Sequence, residues 1–153
     1  SFVGSVDVYK RQMLGNLYED KEKSEQAYRL AARGEFNLSS AMYYNDQPPQ
    51  MMYYSAKAIE ALGDKDEAKK RFNAFIEYAN NHMNDEMKID YFAVSLPDFL
   101  IFEGDLNENN KVHCNLMAAL GYLGIGDNDN AQKYAKQGLE LNQCHAELRD
   151  IVK

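Results

Sequence analysis

The sequence has no tryptophan, only two cysteines among 153 residues, and few valines and isoleucines. Scarce β-branched residues argue against a strand-rich fold. Two cysteines, Cys114 and Cys144, are too few for a disulfide framework in a chain of this length; free, buried thiols in a cytoplasmic protein are expected. Positive charge is also short, with 17 Lys and Arg against 24 Asp and Glu and a formal net charge of −7. Such a surface repels phosphate, so nucleic acid and anionic membrane are excluded as partners. Lys69, Lys70 and Arg71 form the only basic triplet, beside Glu67, and read as a solvated helix face. A long hydrophobic run is missing too. Tyr91 to Phe102 contains Pro97 and Asp98 and is too short to span a bilayer. No signal peptide is expected.

What the sequence does contain favours helix. Ala, Leu, Met, Glu, Lys and Gln are common, and hydrophobic residues make up 45% of the chain. The length suits one domain able to bury roughly 68–70% of its unfolded surface.

Residues 1–12 stand apart. Asp7 to Gln12 reads DVYKRQ, which resembles the in-frame translation of a transposase adapter used to prepare sequencing libraries. The resemblance implies a non-native leader over 1–12 and a fragment of a longer protein from Met13 onward. Tyr9, Met13 and Leu14 also have the spacing of a helix start. The leader is set aside from functional reasoning.

Repeats decide the expected fold. Leu14-Gly15-x-x-Tyr18, followed by Ala27, resembles the first helix and the small second-helix position of a tetratricopeptide repeat, where Gly15 and Ala27 allow close approach. Ala56, Leu62-Gly63-Asp64, Ala68 and Phe72 lay out a second unit. Gly63 suits a left-handed helix end, and Asp64-x-x-Glu67 suits the cap of the next helix. Ile125-Gly126-Asp127 and Ala131 repeat this layout, with Leu139 and Leu141 closing the third unit. The spacing is irregular, since Ala27, Ala68 and Ala131 are separated by more than the usual repeat of about 34 residues. A short insertion around Tyr43 to Pro49 and a long one over about 80–110 account for this. Ser95-x-x-Asp98 and Asp105-x-x-Glu108 read as helix starts within the long one. The expected fold is all-α: a right-handed, tetratricopeptide-like α-solenoid of antiparallel helix pairs over 13–153, with a helical insertion.

Candidate chemistry is sparse. Gly121-x-x-Gly124-x-Gly126 has glycines in phosphate-loop style, but the order is reversed and no strand precedes it; close packing and a helix end explain it better. Asp105, Asn107 and Asn109 have calcium-loop spacing, but Leu116 stands where a bidentate Glu is needed. His113-Cys114 and Cys144-His145 offer metal-ligand types, but adjacent helical residues point about 100° apart and chelate poorly. Asp85, Glu86, Asp90, Asp98, Glu103 and Asp105 crowd the insertion without a His or Lys in a motif, so helix caps and a solvated face are expected rather than acid–base chemistry. No nucleophile–base arrangement is visible. No cofactor or metal is expected, and the chain reads as a non-enzyme.

Three strings carry a narrower resemblance: SAMYYNDQPPQM (Ser40 to Met51), KIDYFAVSLPDFLIFEGDLN (Lys88 to Asn107) and HCNLMAALGYLGIGD (His113 to Asp127). They resemble a family of large bacterial proteins in which an uncharacterised, sugar-mutarotase-like β-sandwich region precedes a tetratricopeptide region. The resemblance covers nearly everything from Met13. It implies a carbohydrate-related parent whose chemistry, if any, belongs to the N-terminal region, and it brings no catalytic residue to this chain.

The expected role is a scaffold that docks the parent's own N-terminal domain or a protein or peptide segment. In the repeat register Asn16, Glu19, Tyr53, Lys57, Glu60 and His113 point to the concave face where such a partner binds. The alternative is a helical domain that completes a glycoside-processing active site of the parent through Asp90 to Glu103. The apolar residues of Lys88 to Glu103 are expected to pack in part on the repeats and in part on the N-terminal domain; exposed, they would drive weak self-association.

Overall fold

The computed structural model describes residues 2–17, 21–33, 36, 38–39, 48–87 and 102–152, with side chains outside 2–7, 17 and 102–105. The regular structure among the described residues is all α-helical: α1 (Phe2–Leu17), α2 (Lys21–Ala32), α3 (Pro49–Ala61), α4 (Lys65–His82), α5 (Phe102–Gly124), α6 (Asn128–Leu141) and α7 (Ala146–Ile151). Each helix packs against its successor, and the odd-numbered helices also touch in series, α1 on α3, α3 on α5 and α5 on α7.

Two turns set the direction of the chain, and they are near copies. After α3, Gly63 adopts φ +100°; its N–H bonds Glu60 O (3.0 Å) and the Asp64 N–H bonds Ile59 O (3.2 Å). After α5, Gly126 adopts φ +85°; its N–H bonds Leu123 O (3.2 Å) and the Asp127 N–H bonds Tyr122 O (2.9 Å). Both satisfy the orphan carbonyls of a helix end, and the left-handed backbone explains glycine at each. The following Asp caps the next helix: Asp64 Oδ1 accepts from Glu67 N–H (3.0 Å) and Asp127 Oδ1 from Asn130 N–H (3.1 Å). A three-residue turn between helices in contact reverses the chain, so α3/α4 and α5/α6 are antiparallel hairpins. Pro49 opens α3 in the first helical turn, where its missing N–H costs nothing.

The repeat alanines sit where the spacing predicts. Ala27, Ala68 and Ala131 are all buried, on helices whose apolar positions recur at helical period: Ala68, Phe72, Phe75 and Ala79 on α4, and Ala131, Ala135 and Gly138 on α6. Gly15 brings α1 onto α2, since a Cβ there would lie 2.6 Å from the Tyr28 ring. Gly121 brings α5 onto α4 in the same way, and Gly124 faces Phe72. The glycines of 121–126 thus serve packing and a helix end.

The core centres on α5. Val112 to Gly121 are all buried, so this helix has no solvated side over that span. α4 and α6 flank it, and α3 and α7 pack across it. Its polar groups tie down neighbouring chain. Asn110 Nδ2 donates to His82 O (2.8 Å), Asn107 Oδ1 accepts from Met87 N–H (2.7 Å), and His113 Nε2 lies 3.2 Å from Ser39 O.

Several expectations meet a different structure. Asp105 and Glu108 lie inside α5 rather than at its start. Of the segment 80–110, residues 80–82 finish α4 and 102–110 begin α5; 88–101, with Ser95, Pro97 and Asp98, lie outside the described residues. Arg71 is not simply solvated: it pairs with Glu67 (3.0 Å) and lies over the Phe36 ring at 5.2 Å, while Lys69 and Lys70 are exposed as expected. Cys114 is buried but Cys144 is exposed, because it falls in the turn after α6. A seventh helix follows the third unit where no further helix was expected. No helix among the described residues is long and apolar enough to cross a membrane.

Candidate binding cleft

The odd-numbered helices enclose a cleft of about 250 Å³ lined by Gln50, Tyr53 and Tyr54 of α3, Leu120 and Leu123 of α5, and Glu147, Asp150 and Ile151 of α7. α3 supplies its wall because Met52, Ala56 and Ile59 are buried, which leaves Tyr53 and Tyr54 half-buried beside them. α7 supplies the opposite wall by the same logic: Leu148 and Ile151 anchor its apolar side and carry Glu147 and Asp150 outward. His145 begins α7, its Nδ1 accepting from Leu148 N–H (3.4 Å).

An aromatic row runs along the α3 side. Tyr9 of α1 meets Tyr54 edge-on (centroids 4.8 Å), Tyr54 meets Tyr53 (5.4 Å), and Tyr53 leans on Phe72 (5.7 Å). Burial, helped by the fields of Tyr54 and Glu60, pushes the Tyr53 hydroxyl up to about 12. Burial likewise raises Tyr54, with Tyr9 and Asp150 adding to it. Both phenols therefore stay protonated at neutral pH and offer ring faces and hydrogen bonds rather than acid–base chemistry. The charge at the cleft comes from Glu147 and Asp150.

Of the residues expected on a binding face, Tyr53 lines this cleft. Lys57 and Glu60 pair with each other (3.4 Å), and Glu60 lines a separate cleft of about 290 Å³ with Lys65, Lys69, Phe72, Gly124 and Ile125. Asn16 is exposed at the end of α1, its Oδ1 accepting from the Tyr28 hydroxyl of α2. His113 is buried beneath Ser39 and faces no open surface. Glu19, Asp90 and Asp98 lie outside the described residues, and so does the side chain of Glu103. Sequence reasoning missed Leu123, Glu147 and Asp150. The signal for the last two was present: Leu148 and Ile151 at helical spacing, with acids between them, mark an amphipathic turn.

The Cys and His pairs have other duties. Cys114 Sγ lies 3.8 Å from Asn110 Oδ1 in the core, and His145 caps α7. No three His, Cys, Asp or Glu among the described residues group as metal ligands. No protein-family model matches the chain. No solved structure matches it either.

Proposed function

We propose that this chain is a tetratricopeptide-type scaffold and that the α3/α5/α7 cleft docks a protein segment, either from the parent's own N-terminal domain or from another polypeptide. The carrying observation is that, among the described residues, the cleft is lined by α3, α5 and α7, helices that also touch in series. In a stack of helix pairs, the first helices line one continuous face, and that face takes extended ligands. The duplicated turn and Asp cap after α3 and α5, together with buried Ala68 and Ala131, support a repeated two-helix unit. The cleft offers what a segment needs: apolar Leu120, Leu123 and Ile151 for side-chain burial, and tyrosines that present area at small entropic cost.

Selection of a random dodecapeptide phage library on the chain tests this reading. Peptides should emerge whose affinity falls about tenfold or more on Tyr54→Ala and on Leu123→Asp, with helical circular dichroism unchanged. A library that yields no binder, or binders indifferent to both substitutions, would overturn it.

A further inference from the structure

The cleft has a chemical polarity that restricts what enters it. Two carboxylates, Glu147 and Asp150, stand on the α7 wall, and among the described residues no Lys, Arg or His lines the cleft. Arg149 lies between them in sequence, but it is exposed and does not contribute to the lining. Asp150 makes no ion pair among the described residues. Glu147 Oε2 lies 3.2 Å from His145 Nδ1, but that same nitrogen accepts the Leu148 N–H. Glu147 therefore keeps one imidazole neighbour, and Asp150 is the carboxylate of this wall without an ion pair among the described residues.

The facing wall is aromatic. Tyr53 and Tyr54 line it with surface whose ring faces carry negative quadrupole density. Gln50 Oε1 is buried with no hydrogen-bond partner among the described residues, and Gln50 lines the cleft. A buried carbonyl oxygen without a donor is costly. Leu120, Leu123 and Ile151 complete the lining with aliphatic surface.

We infer that the cleft selects a segment carrying a Lys or Arg side chain, inserted between the tyrosines of α3 and the carboxylates of α7. The inference rests on the docking reading above and adds the charge and side-chain class of the occupant. The methylene stem of such a residue lies on Leu120, Leu123 and Ile151 while its head reaches the acids. The cation sits against the tyrosines, and its N–H groups supply donors to Glu147 and Asp150. An acidic or phosphorylated segment meets repulsion from the α7 carboxylates. The net charge of −7 speeds the approach of a basic segment over longer range.

The test uses synthetic dodecapeptides taken from the Tyr54-dependent phage binders, each resynthesised with its basic residue replaced by norleucine and by Glu. Fluorescence anisotropy should show affinity falling about tenfold for norleucine and further for Glu, each about 1.4 kcal/mol or more. On the Asp150→Lys variant, whose exposed site leaves folding intact, the Glu peptide should gain and the Lys or Arg peptide should lose. Tyr54-dependent peptides that lack a basic residue, or that bind Asp150→Lys and Glu147→Gln as tightly as the natural chain, overturn the charge assignment and leave the docking reading standing. A library without any Tyr54-dependent binder overturns both.

Discussion

The closest helix crossing gives a sharp prediction at Gly121. It is buried on α5, and a Cβ added there would lie 2.7 Å from the Phe72 carbonyl oxygen, 2.7 Å from Ile76 Cγ1 and 3.0 Å from Phe75 Cβ, all on α4. Without the crossing, Gly121→Ala would stabilise the chain. Alanine gains about 1 kcal/mol of helix propensity, and burying a methyl group gains about 0.8 kcal/mol. Against this, one of the two nearest obstacles is backbone, which cannot rotate away. The helices must part by several tenths of an ångström along a seam where Phe72 and Phe75 are almost fully buried. A gap of that size forfeits a quarter to a half of the dispersion energy of the atoms it separates, roughly. Overpacking of this kind costs about 1–3 kcal/mol beyond what the methyl returns; less the propensity gain of about 1 kcal/mol, Gly121→Ala should lose up to about 2 kcal/mol net. Gly121→Val should lose about 3 kcal/mol or more. The check is urea unfolding followed by helical circular dichroism, with melting lowered by up to about 8 °C for the alanine variant. An alanine variant more stable than the natural chain would refute the close α4/α5 approach on which the repeat reading depends.

Ala68, buried among Ala56, Ile59 and Phe72, should behave similarly: Ala68→Leu is expected to cost about 1–3 kcal/mol in the same assay. His113 predicts an acid weakness. Burial, opposed by the bond to Ser39 O and aided by His145, lowers its pKa from 6.5 to about 4. Between these values the unfolded chain binds a proton that the folded chain refuses, so stability falls by about 2–3 kcal/mol as pH drops through the window, with no further loss from this group below it. His113→Gln, which keeps a donor for Ser39, should flatten that slope in unfolding measured across the range. Burial pushes the Cys114 thiol up to about 12, whereas Cys144 is exposed. Labelling of the native chain with a disulfide reagent should therefore modify one thiol rapidly, the second only on unfolding, and Cys144→Ser should abolish the fast phase.

Composition and local pattern alone carried the helical class, the Gly63 and Gly126 helix ends, the Asp64 and Asp127 caps and the burial of the repeat alanines. These are legible because each is decided within a few residues: a backbone that needs left-handed φ takes glycine, an orphan N–H takes an Asp, and a small residue at helical period marks a crossing. Of the site, Tyr53 was legible. The remaining cleft residues depend on which helix lies opposite α3, and that depends on tertiary packing. α7 is six residues long and too short to stand alone, so its existence follows from Leu148 and Ile151 finding the α5 core. His113 shows the reverse failure. Its register placed it on an open face, but the chain at Ser39 covers it, and a covering segment distant in sequence leaves no periodic trace. Local chemistry thus determined the helices and their ends. Only the packing of distant segments decided which faces stayed open, because exposure belongs to the pair of surfaces and not to either one.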